Sequence, residues 1–170
     1  MTVYVGLLRA VNVGGTGKLP MSRLVELCTG LGFGDVRTYI QSGNVVFDTT
    51  EPVDAVRAKL EDALTTELGR PADVVLRTAD ELADIAAANP FPEADGAKVA
   101  VVLGHSPVPA DLAVTAPGGE QVVPGDRELF VYYPDGMGRS KLKLPALAGP
   151  VTVRNMNTVT KLVALAQHPS

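Results

Sequence analysis

The segment Arg9-Ala-Val-Asn-Val-Gly-Gly-Thr-Gly-Lys18 sets Gly14, Gly15, Gly17 and a lysine between an apolar run and a helical pattern. Such glycines let backbone N–H groups approach a ligand closely, and a helix start with a lysine beside it attracts anions. The spacing departs from the phosphate-binding loop Gly-x-x-x-x-Gly-Lys-Ser/Thr, because Asn12 and Leu19 stand where glycine and a hydroxyl residue are required. The general attraction for an anion remains; a plain strand-to-helix turn explains the same glycines by geometry alone. Gln41-Ser42-Gly43-Asn44 is a hairpin tip rich in amide and hydroxyl groups. Further on, Tyr132-Tyr-Pro-Asp-Gly-Met-Gly-Arg-Ser-Lys141 supplies Arg139, Ser140 and Lys141. Arg154-Asn-Met-Asn-Thr-Val-Thr-Lys161 brackets a helix start with Arg154 and Lys161, and its Asn155 or Asn157 can cap that helix.

The elements that must position these groups follow from hydrophobic periodicity. Val3–Val11 reads as a buried strand, and Met21–Leu31 as a helix with Pro20 at its start and Gly32 beyond its end. Val36–Gln41 and Asn44–Asp48 form a hairpin around Ser42-Gly43. A helix over Glu51–Leu68 carries Val53, Val56, Leu60 and Leu64 on one face, and Asp73–Arg77 is a strand. The order β-α-β-β-α-β is the split βαβ, or ferredoxin-like, unit. Thr78 and Glu81 make a capping box for a connecting helix that Asn89-Pro90 ends.

The pattern then returns. Val99–Leu103, Glu120–Val123, Glu128–Tyr133 and Val151–Val153 read as strands, Pro109–Val114 and Ser140–Leu147 as short helices or turns, and Thr158–Ala166 as a final helix. The chain thus divides into a first repeat (1–77), a connecting helix and loop (78–97), a second repeat (98–154) and a C-terminal helix (155–170). No sequence identity between the halves is apparent; the repeat is one of pattern. In this topology strands one and two of a repeat run parallel, as do strands three and four. The Arg9–Lys18 and Gln41–Asn44 segments should therefore share one sheet edge, and the Tyr132–Lys141 and Arg154–Lys161 segments another.

Composition removes several classes of function. With 46% apolar and 20% charged residues and a net charge of −4, the chain has the makings of a packed core and is not disordered. A single Cys28, set on an apolar helical stripe, excludes an internal disulfide and a cysteine-rich zinc module. His105 and His168 lack partners at ligand spacing, so no metal site is expected. No apolar run, Val99–Leu103 included, approaches bilayer length, and Met1–Leu8 lacks a basic leader, so the expected location is the cytoplasm. The absence of tryptophan and the negative net charge disfavour nucleic acid as the partner without excluding it. The charge is uneven: residues 1–77 sum to −1, residues 78–136 to −8, and residues 137–170, which contain no acid, to +5. That basic tail either meets a ligand or offsets the acidic middle segment.

The segments LLRAVNVGGTGKLPM (7–21), DVRTYIQSGNVVF (35–47), YYPDGMGRSKL (132–142) and VRNMNTVTKL (153–162) resemble the signature of the bacterial family called domain of unknown function 1697. The resemblance implies a tandem ferredoxin-like α/β architecture and carries no established activity. It also marks departures: members usually have glycine at the position of Ala10, a polar residue at that of Gly17, and tryptophan at that of Met156. The methionine takes away an aromatic that could have stacked on a ligand.

The sequence therefore predicts a tandem α/β protein whose polar strand edges face each other and bind a small anionic, phosphate-bearing ligand. Arg9, Lys18, Arg139, Lys141, Arg154 and Lys161 supply charge, Asn12, Gln41, Ser42, Asn44, Asn155 and Asn157 directional hydrogen bonds, and Gly14, Gly15 and Ser140 close backbone or hydroxyl approach. No general base or nucleophile accompanies them, so binding is favoured over catalysis, with no cofactor or oligomeric state assigned. The alternatives are an interaction module using the basic tail on nucleic acid or protein, and a purely structural role in which the cations pair with acids such as Asp126 or Asp135.

Overall fold

The computed structural model describes residues 2–9, 19–39, 43–108, 118–136 and 151–167. The expected helices over 109–114 and 140–147 lie outside these residues. The chain divides into two compact units, Met1–Ala83 with Leu162–Ser170, and Asp84–Lys161. The division falls inside the connecting helix, and the last helix is shared between the two sets.

In the first unit β1 (Thr2–Arg9), α1 (Met21–Gly30), β2 (Gly34–Tyr39), β3 (Asn44–Thr49), α2 (Val53–Leu68) and β4 (Asp73–Thr78) follow the expected order. The four strands form an antiparallel sheet in the order β2-β3-β1-β4, the ferredoxin-like arrangement. Register explains the core. Tyr4 lies opposite Phe47, and Leu8 opposite Val74, so alternate residues of three strands fall on one face. That face packs against Leu24 and Cys28 of α1 and Val56, Leu60 and Leu64 of α2. Phe47 stacks on Phe33 with ring centroids 4.5 Å apart. Val53, expected on the same helical stripe, is 44% exposed as the first residue of α2. The opposite face is buried as well, through Val5, Leu7, Val46, Val75 and Arg77, which is why these strands read as continuous apolar runs and not as alternation. Arg37 of β2 donates from Nη1 to the Leu165 carbonyl, tying the last turns of the chain's final helix into this unit.

The helix after β4, α3 (Ala79–Ala87), begins with the anticipated reciprocal box: the Thr78 N–H donates to Glu81 Oε1 at 2.8 Å, and the Glu81 N–H to Thr78 Oγ1 at 3.1 Å. Thr78→Ala is expected to cost about 1 kcal/mol. That corresponds to a fall of about 2–4 °C in the midpoint of thermal unfolding followed by circular dichroism.

The second unit repeats the plan. β5 (Val99–Gly104), β6 (Gln121–Pro124), β7 (Glu128–Tyr132) and β8 (Val151–Asn155) form an antiparallel sheet in the order β6-β7-β5-β8, and α4 (Met156–Gln167) follows. Ala100, Val102, Leu129 and Val131 make its buried cluster. Register also supplies an equivalence that the sequence comparison of the halves did not. Arg77 of β4 lies opposite Val5, and Arg154 of β8 opposite Val101, both near the middle of the first strand of the repeat. Each arginine donates to the carbonyl of the residue before it, at 3.0 Å in both cases. Each is followed directly by the capping residue of a helix, Thr78 or Asn155. Aligned on the arginines, buried Leu82 and Ile85 of α3 match buried Val159 and Leu162 of α4. The repeat therefore includes its trailing helix.

Candidate functional site: the polar strand ends

In the first unit the expected neighbours meet at the C-terminal end of β1. Leu7 lies opposite Asn44, the Leu8 N–H donates to the Gly43 carbonyl at 2.9 Å, and Arg9 lies opposite Asp73. The Arg9 guanidinium is 3.3 Å from Asp73 Oδ2, an exposed pair of small energetic weight. Asn44 is fully buried and its Nδ2 donates to the Tyr39 carbonyl at 3.1 Å, so its amide closes the hairpin. Asn12, Gly14, Gly15, Lys18, Gln41 and Ser42 lie outside the described residues.

In the second unit β7 and β8 flank β5, both antiparallel to it and hence parallel to each other. Tyr132 lies opposite Val99 and Asn155 opposite Ala100, so both strands finish where β5 starts, two strand spacings (about 10 Å) apart. Arg139, Ser140 and Lys141, on the segment that leaves β7, lie outside the described residues. The helix after β8 starts at Met156, two residues before the expected Thr158, because Asn155 takes the capping role: its Oδ1 accepts from the Thr158 N–H at 2.8 Å. Asn157 and Lys161 are exposed on the first turns of α4. Asn157 lies against the short 3-10 turn Gly96–Lys98, and a Cβ at Gly96 would collide with its Oδ1.

Arg154 is placed differently from the exposed Arg9 and Lys161. It is buried, donates from Nη1 to Thr152 Oγ1 at 2.6 Å as well as to the Val153 carbonyl, and loss of water lowers its pKa to about 10. Seen within each repeat, the two clusters occupy opposite ends of equivalent sheets. The first lies at the C-terminal end of β1 and the second at the N-terminal start of β5.

Sequence reasoning missed a feature of this second end. Pro90, Phe91, Pro92, Glu93, Ala94, Gln121 and Tyr132 line an open cavity of about 330 Å³. The Phe91 and Tyr132 rings lie 5.7 Å apart at 33°. The turn is held by Asn89 Oδ1, which accepts from the Phe91 N–H at 2.9 Å, and by the Ala94 N–H to Phe91 carbonyl bond at 3.1 Å. The signal was present as an aromatic between two prolines, but Asn89-Pro90 reads first as a helix stop. Lys98 also belongs to this end, its carbonyl accepting from the Tyr133 N–H at 2.8 Å.

The remaining chemistry is sparse. Cys28 is buried and its thiol is pushed up to about 12 by loss of water, the reverse of what a nucleophile needs. Burial, with the Glu120 charge nearby, raises the Tyr133 phenol. Among the described residues no group of three histidine, cysteine or carboxylate side chains is placed to hold a metal ion, and no helix is long and apolar enough to cross a membrane.

Two ferredoxin-like sheets in tandem, each with a polar strand end, define the class of α/β protein. The chain belongs to the family described as protein of unknown function DUF1697, whose pattern it matches over residues 1–130. The first two of the four signature segments fall within that match. The structural likeness reaches further: a conserved bacterial protein from Streptococcus pneumoniae shares 22% identity with a TM-score of 0.75, over 96% of this chain and 97% of that one. Identity at that level shows the shared fold. No curated protein sequence matches the chain. Met156 is 6% exposed in the first turn of α4.

Proposed function

We propose that the protein binds a small anionic, phosphate-bearing ligand at the end of the second unit's sheet where β7 and β8 finish. The observation that supports this reading is the parallel ending of those strands on either side of β5. It starts the segment bearing Arg139, Ser140 and Lys141 beside the start of α4, with Asn157 and Lys161 exposed on its first turns and Lys98 on the adjoining turn. A helix start contributes N–H donors and a dipole worth about 0.3–1 kcal/mol, and the cations add charge-assisted hydrogen bonds. Arg154 serves by fixing β8 and not by touching the ligand. The glycine-rich segment from Asn12 to Lys18, with Arg9, Gln41, Ser42 and Asn44, is proposed as an anion-attracting element at the first unit's own strand end. On this reading the protein acts by binding, in the cytoplasm.

Titration calorimetry with ribose 5-phosphate tests this. Removing one charge-assisted contact costs about 1.5–3 kcal/mol, so Lys141→Ala or Arg139→Ala should weaken binding by about ten- to hundredfold with the thermal midpoint unchanged. Tighter binding to an oligonucleotide, falling steeply with salt, would instead make the basic tail an interaction surface. Loss of stability without loss of binding in both variants would assign these residues a structural role.

A further inference from the structure

We infer that the open cavity of the second unit receives the base of a nucleotide, so that the anionic ligand proposed above is a nucleotide. The inference rests on that reading for the phosphate end only. The cavity walls are flat and rigid: two half-exposed aromatic rings, Phe91 and Tyr132, and the prolines that flank Phe91. Its volume of about 330 Å³ suits one small planar group, at the lower end of small-molecule sites. Stacking on aromatic faces is how proteins hold bases without reading a strand.

Two polar side chains make a base a better fit than a plain hydrocarbon ring. Glu93 is exposed at the rim and its carboxylate only accepts hydrogen bonds, while the Gln121 amide both donates and accepts. A ring presenting an exocyclic amino group complements both. Glu93 also repels a phosphate, so the charged end of the ligand belongs outside the cavity. A continuous path leads there within the unit. The chain that lines the cavity runs through Asp95, whose side chain accepts from the Ala97 N–H at 3.0 Å, into the Gly96–Lys98 turn. Gly96 has no room for a side chain against Asn157, so this turn lies directly on the first turn of α4. Tyr132, in the cavity wall, is opposite Val99, the residue after Lys98.

The test is calorimetry on the full chain with adenosine, guanosine and uridine, the 5′-monophosphates of the first two, and ribose 5-phosphate. The monophosphates should bind at least about tenfold more tightly than ribose 5-phosphate. Phe91→Leu and Tyr132→Leu should remove that advantage and leave ribose 5-phosphate affinity unchanged. Glu93→Gln, on an exposed side chain that cannot endanger the fold, should weaken adenosine and guanosine several-fold and leave uridine unaffected. Lys141→Ala should weaken all three phosphates equally and spare the nucleosides. If the monophosphates bind no more tightly than ribose 5-phosphate and the nucleosides do not bind, the base cavity is wrong and the anion reading stands. If nucleosides bind and ribose 5-phosphate does not, the cavity stands and the anion reading falls. Monophosphate affinity unchanged by Phe91→Leu, Tyr132→Leu and Glu93→Gln overturns the inference, as does an absence of binding by every compound.

Discussion

Arg77→Ala is expected to destabilise the protein by about 3 kcal/mol, within the range for emptying a large buried site. At this chain length that is a fall of about 6–12 °C in the thermal midpoint. Arg77 is 1% exposed, and among the described residues it is the largest fully buried side chain. Its removal leaves a cavity on the face of the sheet formed by Val5, Leu7, Val46 and Val75, and strips the Leu76 carbonyl of the donor at 3.0 Å. Arg77→Met, which keeps most of the volume, should recover about half of the loss. The equivalent Arg154→Ala should cost less, since Arg154 is 9% exposed. Urea unfolding of the three variants checks the series; a change under about 0.5 kcal/mol for Arg77→Ala would show that the arginine behaves as a surface residue.

Gly43→Ala is expected to cost a similar amount for a different reason. Gly43 has φ of 75°, where a residue with a Cβ loses about 1–2 kcal/mol. The new Cβ would also lie 2.9 Å from the Cβ of Leu8, in the neighbouring strand, and overpacking adds about 1–3 kcal/mol. Retreat is blocked because the Gly43 carbonyl accepts from the Leu8 N–H at 2.9 Å. The guanidinium chloride midpoint should fall accordingly. Because this contact joins β1 to β3, hydrogen exchange should also quicken at Leu8 more than at Leu76, on the far flank of β1.

Much of this architecture was legible in local chemistry. The Thr78–Glu81 box announced α3, the apolar run of β1 announced a buried strand, and the runs of β3 and β5 announced strands. The topology implied by that order correctly brought the end of β1 to the tip beside Gly43, and the ends of β7 and β8 to one edge. The misses share a physical cause. Burial of charge leaves little trace in a linear pattern, so the sequence offers Arg77 only as the end of a strand and Arg154 as a cation for a ligand, although their long stems and many donors let them occupy a core. Glu120 and Glu128 are likewise buried, each bonded to a nearby backbone N–H at 2.8 Å. The start of α4 was misplaced because Asn155 and Asn157 are equally good caps on paper, and only the geometry after β8 selects Asn155. The cavity was invisible because its walls come from segments far apart in the chain, 90–94, 121 and 132, of which the last two meet through the pairing of β6 with β7.

Amide-resolved NMR during titration with ribose 5-phosphate will show whether the second unit's strand end holds an anion. Saturable shifts are expected at Lys98, at Tyr132 to Lys141 and at Asn155 to Lys161, with β2 and α2 undisturbed. Shifts that fail to saturate in the millimolar range, or that map onto β2 and α2 and spare those three segments, would contradict it.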